Sequence, residues 1–355
     1  MATEIGVSAP LLGRAEARVP YPPSVVDRFI AWADRVPGPA WSLYLGMLAV
    51  LVVIVNGVTW LDGSVRFGTL DLYRTSIPVY PVSILALMHY LNRAACRALA
   101  EFRPALGGAE AEYARFEYEL TTLPSGRTWV VCGASLVFTV AFAVFTPSLA
   151  EALRRSPWLA GVDFVLYAIV FGLVGVFVYH TLRQLRMVRL IHASARNVNL
   201  FQLTPLYAFS GLTARTGIGL LLLNSFSILT DPATLVNPPL FGLTILTSLV
   251  SVACFFLPLK GIHDCIASKK QRLLAEVNAR LEAAIQHLYR RADAQDPTGI
   301  EQVNQLLTAL VTTREVLTKI PTWPWETGTL TGFISAFLLP FIVGLIILFL
   351  EQVLR

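Results

Sequence analysis

The sequence predicts an all-α, polytopic membrane protein of about seven transmembrane helices, with its N-terminus inside, its C-terminus outside and a cytoplasmic helical hairpin between helices six and seven. Three observations predict it. Of 355 residues, 55% are hydrophobic and only 14% are charged, a balance that a soluble domain does not keep. The apolar residues gather into seven stretches long enough to approach the roughly 30 Å of a bilayer's hydrocarbon core. Lys and Arg are shared unequally between alternate loops, as membrane orientation requires.

Residues 1–40 form a cytoplasmic N-terminal segment. It lacks a charged start feeding an apolar core and a cleavage site, so the first span is expected to act as the targeting signal. Within it, Ser24 to Val36 reads as a short amphipathic helix. Ser24 is its N-cap, Asp27 completes a capping-box pair, and Pro37 and Pro39 end it. Val25, Val26, Phe29 and Ile30 gather on one side with Trp32 and Ala33, which fits a helix lying on the membrane surface or packed on the chain's own cytoplasmic core.

Six spans follow within residues 41–259, at Trp41 to Trp60, Ile77 to Leu91, Trp129 to Phe145, Trp158 to His180, Ala208 to Leu229 and Pro239 to Leu259; the seventh, Thr329 to Leu350, lies within 326–355. Trp41, Trp60, Trp129, Trp158, Trp323 and Trp325 sit at or just outside span ends, where the amphipathic indole prefers to reside. Between the second and third spans, Arg93 to Leu123 is charged but helical in pattern. Tyr113, Phe116 and Leu120 share one face, predicting a connector packed beneath the bundle.

Orientation follows from the positive residues. Arg14, Arg18, Arg28 and Arg35 precede span one, and nine Lys and Arg lie from Lys260 to Lys319. The opposite side carries Arg66, Arg74, Arg154, Arg155 and Arg355. The net charge of +5 is therefore a property of membrane loops, and no nucleic-acid partner is expected. Cys96, Cys132, Cys254 and Cys265 fall in spans or on the cytoplasmic side, where thiols stay reduced, so no disulfide is expected.

Residues 260–325 hold the hairpin and its elbow. Ile262, Ile266, Leu273, Val277, Leu281, Ile285 and Leu288 recur at helical spacing, continuing span six into the cytoplasm. Asp296-Pro297 breaks it, and Thr298 with Glu301 opens a second helix whose stripe includes Leu307 and Leu310. Leu281, Ile285, Leu307 and Leu310 are the candidate hairpin contact, either inside one subunit or between subunits. The segment closes on Pro321, Trp323, Pro324 and Trp325, a candidate coupling elbow at the inner surface, with a plain interfacial anchor as the alternative.

Span seven carries Gly328, Gly332 and Ala336 at four-residue spacing, a face that lets another helix approach closely, and Pro340 and Gly344 leave its outer half prone to bend. Thr331, Ser335, Phe337 and Pro340 are the candidate pore-lining residues. The spans hold almost no ionisable groups beyond Asp163 and Arg215, near span ends, which disfavours an ion-coupled pump and leaves a passive pathway open. His89, His180, His192 and His263 map near the cytoplasmic boundary without metal-ligand spacing, so no metal or cofactor is expected. The chain has no P-loop and no G-x-S-x-G elbow, and no enzymatic activity is expected.

A sixth helix prolonged into the cytoplasm, a returning helix and a last span reading Gly332-Phe333-Ile334-Ser335-Ala336-Phe337 give a layout that resembles the insect odorant and gustatory receptor channels. The Thr-Tyr and Gln-Phe pairs of that family's last span have no counterpart here. The resemblance implies a tetramer joined through a cytoplasmic anchor and a cation pore lined by the last span. Composition and loop style also resemble bacterial inner-membrane proteins, which implies a multi-pass protein of the plasma membrane. The expectation is thus a homo-oligomeric channel-like protein in the lipid bilayer. Its rivals are a sensor or scaffold whose hairpin binds a cytoplasmic protein partner, and a small-solute carrier.

Overall fold

The computed structural model describes residues 20–145, 156–195, 200–201, 204–232, 235, 238–293 and 300–353. Among them an isolated bridge between Pro23 and Pro124 is the only β pairing, and the rest is helix and connection. Helix α1 (Val25–Ala33) opens on the expected capping box: Ser24 Oγ accepts the Asp27 amide at 3.2 Å, and Asp27 Oδ2 accepts the Ser24 amide at 3.1 Å. It docks on the chain's own core. Ile30 and Ala33 are buried and Val26 and Phe29 pack alongside, while Val25 and Trp32 remain exposed.

The remaining elements are α2 (Ala40–Leu61), α3 (Leu72–Ser76), α4 (Val79–Leu106), α5 (Glu110–Thr121), α6 (Ser125–Phe145), α7 (Pro157–Ala193), α8 (Thr204–Thr230), α9 (Pro238–Asp293), α10 (Ile300–Lys319) and α11 (Thr327–Val353). Gly107 stops α4 at φ 57°, a left-handed conformation that a residue without Cβ adopts at little cost.

Contacts fix the direction of each long helix. Asp62, after α2, accepts from Ser156 before α7, and Arg74 of α3 pairs with Asp163 of α7 at 2.9 Å. Tyr80 at the start of α4 meets Phe226 near the end of α8. At the opposite end, Asp34 after α1 contacts His89 of α4 at 2.9 Å, and Phe102 of α4 packs on His192 of α7 and Phe209 of α8. Phe138 and Phe142 of α6 meet Phe171 and Tyr167 of α7 in reverse order, as Asn224 and Gly217 of α8 meet Ser248 and Ser251 of α9. Thus α2, α6, α8 and α11 run one way, and α4, α7 and the first part of α9 the other.

Among the described residues six helices are long and apolar enough to cross a membrane, located in α2, α6, α7, α8, α9 and α11. The expected span Ile77 to Leu91 is not one of them. From Val79 on it lies in α4, where His89 falls within the apolar run and Asn92 and Arg93 end it. These groups are used inside the fold: His89 contacts Tyr44 Oη at 3.0 Å as well as Asp34, and Asn92 contacts His180 Nε2 at 2.8 Å. α4 is enclosed by its neighbours, with Ile84, Met88 and Leu91 almost completely buried, and its polar groups are hydrogen-bonded within the fold.

The main core joins α4 and α5 to the late part of α7, the early part of α8 and Ile262 and Ile266 of α9. It buries Phe116 and Leu120 of α5, the face expected to dock beneath the bundle. α10 lies along the far part of α9. Leu310 and Leu317 pack with Val277 and Ala284, and Leu281 and Leu307 are partly buried beside them. Asp296, Pro297 and Thr298 lie outside the described residues.

Candidate functional site

Between α10 and α11 the chain turns through Pro321 to Glu326. Prolines at 321 and 324 keep this stretch from continuing either helix. Lys270 of α9 holds its start, donating from Nζ to the carbonyls of Thr318 and Ile320, each at 2.7 Å. These acceptors belong to the helix end that α10 itself cannot satisfy. His263, two turns earlier on α9, lies 3.1 Å from the Thr322 carbonyl through Nδ1. A carbonyl only accepts, so Nδ1 carries the proton in this arrangement.

The aromatic groups of this junction form one column. The His263 ring stacks on Trp323 with centroids 4.0 Å apart, and Trp323 stacks on Trp325 at 4.5 Å. Trp325 continues onto Phe255 of α9 at 5.7 Å, and Phe255 onto Phe333 of α11 at 4.5 Å. Phe256 stands edge-on to Trp323, Trp325 and Phe333. Such pairs add about 0.5–1.5 kcal/mol each beyond the area they bury. Phe255 is fully buried, as is nearly all of Phe333, so the inner end of the column joins α9 to α11 away from the surface, while the Trp323 end is half-buried.

α8 supplies the wall behind it. A Cβ at Gly217 would lie 2.6 Å from Phe333 Cε2 and 2.9 Å from the Ser251 carbonyl oxygen. Glycine is what lets the three helices meet at this level. Pro258 of α9 lies one turn from Phe255 and removes a main-chain donor from the helix there.

The expected elbow residues are thus brought together. Trp323 and Trp325 are half-buried in the column, Pro324 is buried and Pro321 is exposed. The expected pore-lining residues separate into two faces of α11. Thr331 and Ser335 are exposed, with Ser335 Oγ donating to the Thr331 carbonyl at 3.0 Å. Pro340 instead shares the buried stripe of Phe333 and Gly344, and Phe337 is half-buried. Gly328 and Gly332 have open space where a Cβ would be, so among the described residues no other helix is packed against them. Of the hairpin candidates, Leu310 is buried and Leu281, Ile285 and Leu307 are half-buried.

Sequence reasoning missed Phe255, Phe256, Phe333 and His263 as one unit. Their signal was the spacing of 255 and 263, about two helical turns, opposite a Trp-Pro-Trp run at the same boundary. The four boundary histidines do not converge, and no group of three or more His, Cys, Asp or Glu side chains is placed to hold a metal among the described residues. No protein-family model, no curated protein and no solved structure matches the chain.

Proposed function

We propose that the chain is a homo-oligomeric, channel-like membrane protein with seven transmembrane helices, α4 among them, its N-terminus inside and its C-terminus outside. In this reading α9 and α10 form a cytoplasmic hairpin, α11 lines the pathway, and the aromatic column carries displacements of the hairpin to α11. The alternating directions of α2, α4, α6, α7, α8, α9 and α11 support seven crossings.

The observation that carries the channel reading is the one-sided packing of α11. Its buried stripe faces α8 and α9, while Gly328, Thr331, Gly332 and Ser335 form an outward face of small and hydroxyl-bearing residues. Small residues favour close helix approach, and hydroxyls with backbone carbonyls suit a neutral conduit. Ion flux through purified protein in liposomes tests this, comparing wild type with Ser335→Trp and Thr331→Lys. Flux that the tryptophan blocks and the lysine biases toward anions is expected. Absence of flux across lipids, pH and voltage would sink the channel reading.

A second reading, a sensor or scaffold, is favoured by exposed Tyr289, Leu306, Val311 and Val316 on α9 and α10. Apolar side chains left open there fit a partner surface as well as a subunit contact. Leu306→Asp separates the two. Loss of the oligomer supports the first reading, and loss of a co-purifying protein from an intact oligomer supports the second.

A further inference from the structure

We propose that the cleft between α5, the first turn of α6 and the late part of α7 binds a phosphomonoester, carried by a lipid headgroup of the adjoining leaflet. The cleft has a volume of about 240 Å³ and is lined by Glu119, Arg127, Arg183, Arg186, Met187 and Leu190. Three guanidinium groups thus converge from two helices on one small space. The planar fork of arginine matches phosphate oxygens in pairs, and phosphate is the ligand on which such a set makes most of its donors.

The charge of these arginines is only partly offset within the fold: the cleft is lined by three arginines and one carboxylate, Glu119, and Asp27 reaches Arg183 through space alone. Glu119 is ion-paired to Arg115 on its own helix at 3.1 Å. Arg183 is held instead by Tyr21: its Nη2 donates to the phenol oxygen, and its guanidinium lies over the ring at 4.9 Å. Burial pushes the Tyr21 phenol up to about 12, outweighing the opposing influence of Arg183. The phenol therefore stays neutral and donates to the Thr122 carbonyl at 3.0 Å. It orients Arg183 without neutralising it. Asp27, the buried carboxylate nearby, hydrogen-bonds Ser24 and the Leu123 amide and acts on Arg183 only through space. Arg183 Nε is buried without a partner, and Arg127 and Arg186 have no hydrogen-bond or ion-pair partner among the described residues.

The position favours a lipid source. At about 1.5 Å per residue, some 20 residues of α7 from Pro157 exhaust the hydrocarbon thickness, which places Arg183 and Arg186 about 10–15 Å past it, within reach of the headgroups for a long arginine side chain. Trp129, Val130, Leu182 and Leu190 are exposed on the same stretches of α6 and α7, giving the cleft an apolar rim on which acyl chains can lie. A basic pocket at this level is the arrangement that captures anionic headgroups.

The test uses full-length protein in phosphatidylcholine nanodiscs containing a minor share of phosphatidic acid, with bound lipid read by native mass spectrometry. Wild type is expected to retain phosphatidic acid over phosphatidylcholine, and R127Q and R186Q, both at exposed positions, each to weaken retention by about tenfold. R189Q, the same charge change on α7 outside the cleft, is expected to leave it within about twofold. E119Q is expected to tighten it. Glycerol 3-phosphate added in solution separates the sources: failure to compete supports the lipid headgroup, whereas full displacement moves the site to a soluble phosphomonoester and overturns the lipid assignment. No preference over phosphatidylcholine, or equal loss in R189Q and R186Q, overturns the site itself.

Discussion

Helices α8 and α11 are each 27 residues long and both are apolar enough to cross a membrane, yet they are used in opposite ways. In the most apolar window of each, 56% of α8 is buried against 17% of α11. The less apolar helix is the better buried one. α8 buries Ser210, Thr213, Thr216, Asn224 and Ser225, and its hydroxyls donate to carbonyls three or four residues back, as Thr216 does to Leu212 at 3.0 Å. α11 turns Ile334, Leu338, Ile342, Leu345 and Phe349 outward. A fold made for water would reverse this arrangement. The inversion is the pattern expected of helices in apolar surroundings, where burial follows from close packing and satisfied polar groups more than from hydrophobicity.

That contrast can be broken by substitution. Phe255→Ala removes the ring on which the linker and α11 both stack, and a loss of about 3–5 kcal/mol is expected from reversible unfolding in mixed micelles. Gly217→Val forces Phe333 and the Ser251 carbonyl apart, with an expected loss of about 1–3 kcal/mol. The same change at Gly332, whose Cβ would meet no other described residue, should leave monomer stability unaltered; if Gly332→Val instead abolishes cross-linked oligomers, the outward face is a subunit contact. Asn224→Ala deletes donors to the Thr244 carbonyl and Ser248 hydroxyl of α9, both at 3.2 Å. Its cost should be near the average of about 0.6 kcal/mol for such bonds in membranes. Leu345→Ala, at 68% exposure, should change stability by less than about 0.5 kcal/mol. A large loss there would mean that α11 is covered by something this chain does not supply.

Much of this fold was legible in the sequence because length, apolarity and helix-ending residues are local properties. Trp41 to Trp60 corresponds to Ala40–Leu61, and the Ser24 and Asp27 capping box forms as written. Arg93 to Leu123 resolves into the end of α4 and α5, divided at Gly107 and Gly108. Local reading was weakest at α4, whose polar groups find their partners far along the chain: His89 contacts Tyr44 and Asp34, and Asn92 contacts His180. The same limit applies to the candidate site. Trp323 and Trp325 stood out beside prolines, but Phe333 belongs with them only because α11 returns to α9 opposite Gly217. Hydroxyl-bearing positions of α11 could be picked by composition, whereas Pro340 could not be assigned to a face until the buried stripe was known.

The length of α9 has a mechanical consequence. As one 56-residue helix it extends 35 residues past Pro258, or about 50 Å at 1.5 Å per residue. A tilt of about 5° at the proline, well within ordinary helix bending, moves the far tip by roughly 4–5 Å. Run in reverse, a modest force at the tip acts on the aromatic junction with the advantage of a long arm over a short one. Displacements at the far end of α9 are thus scaled down, and forces scaled up, at the level of the aromatic junction.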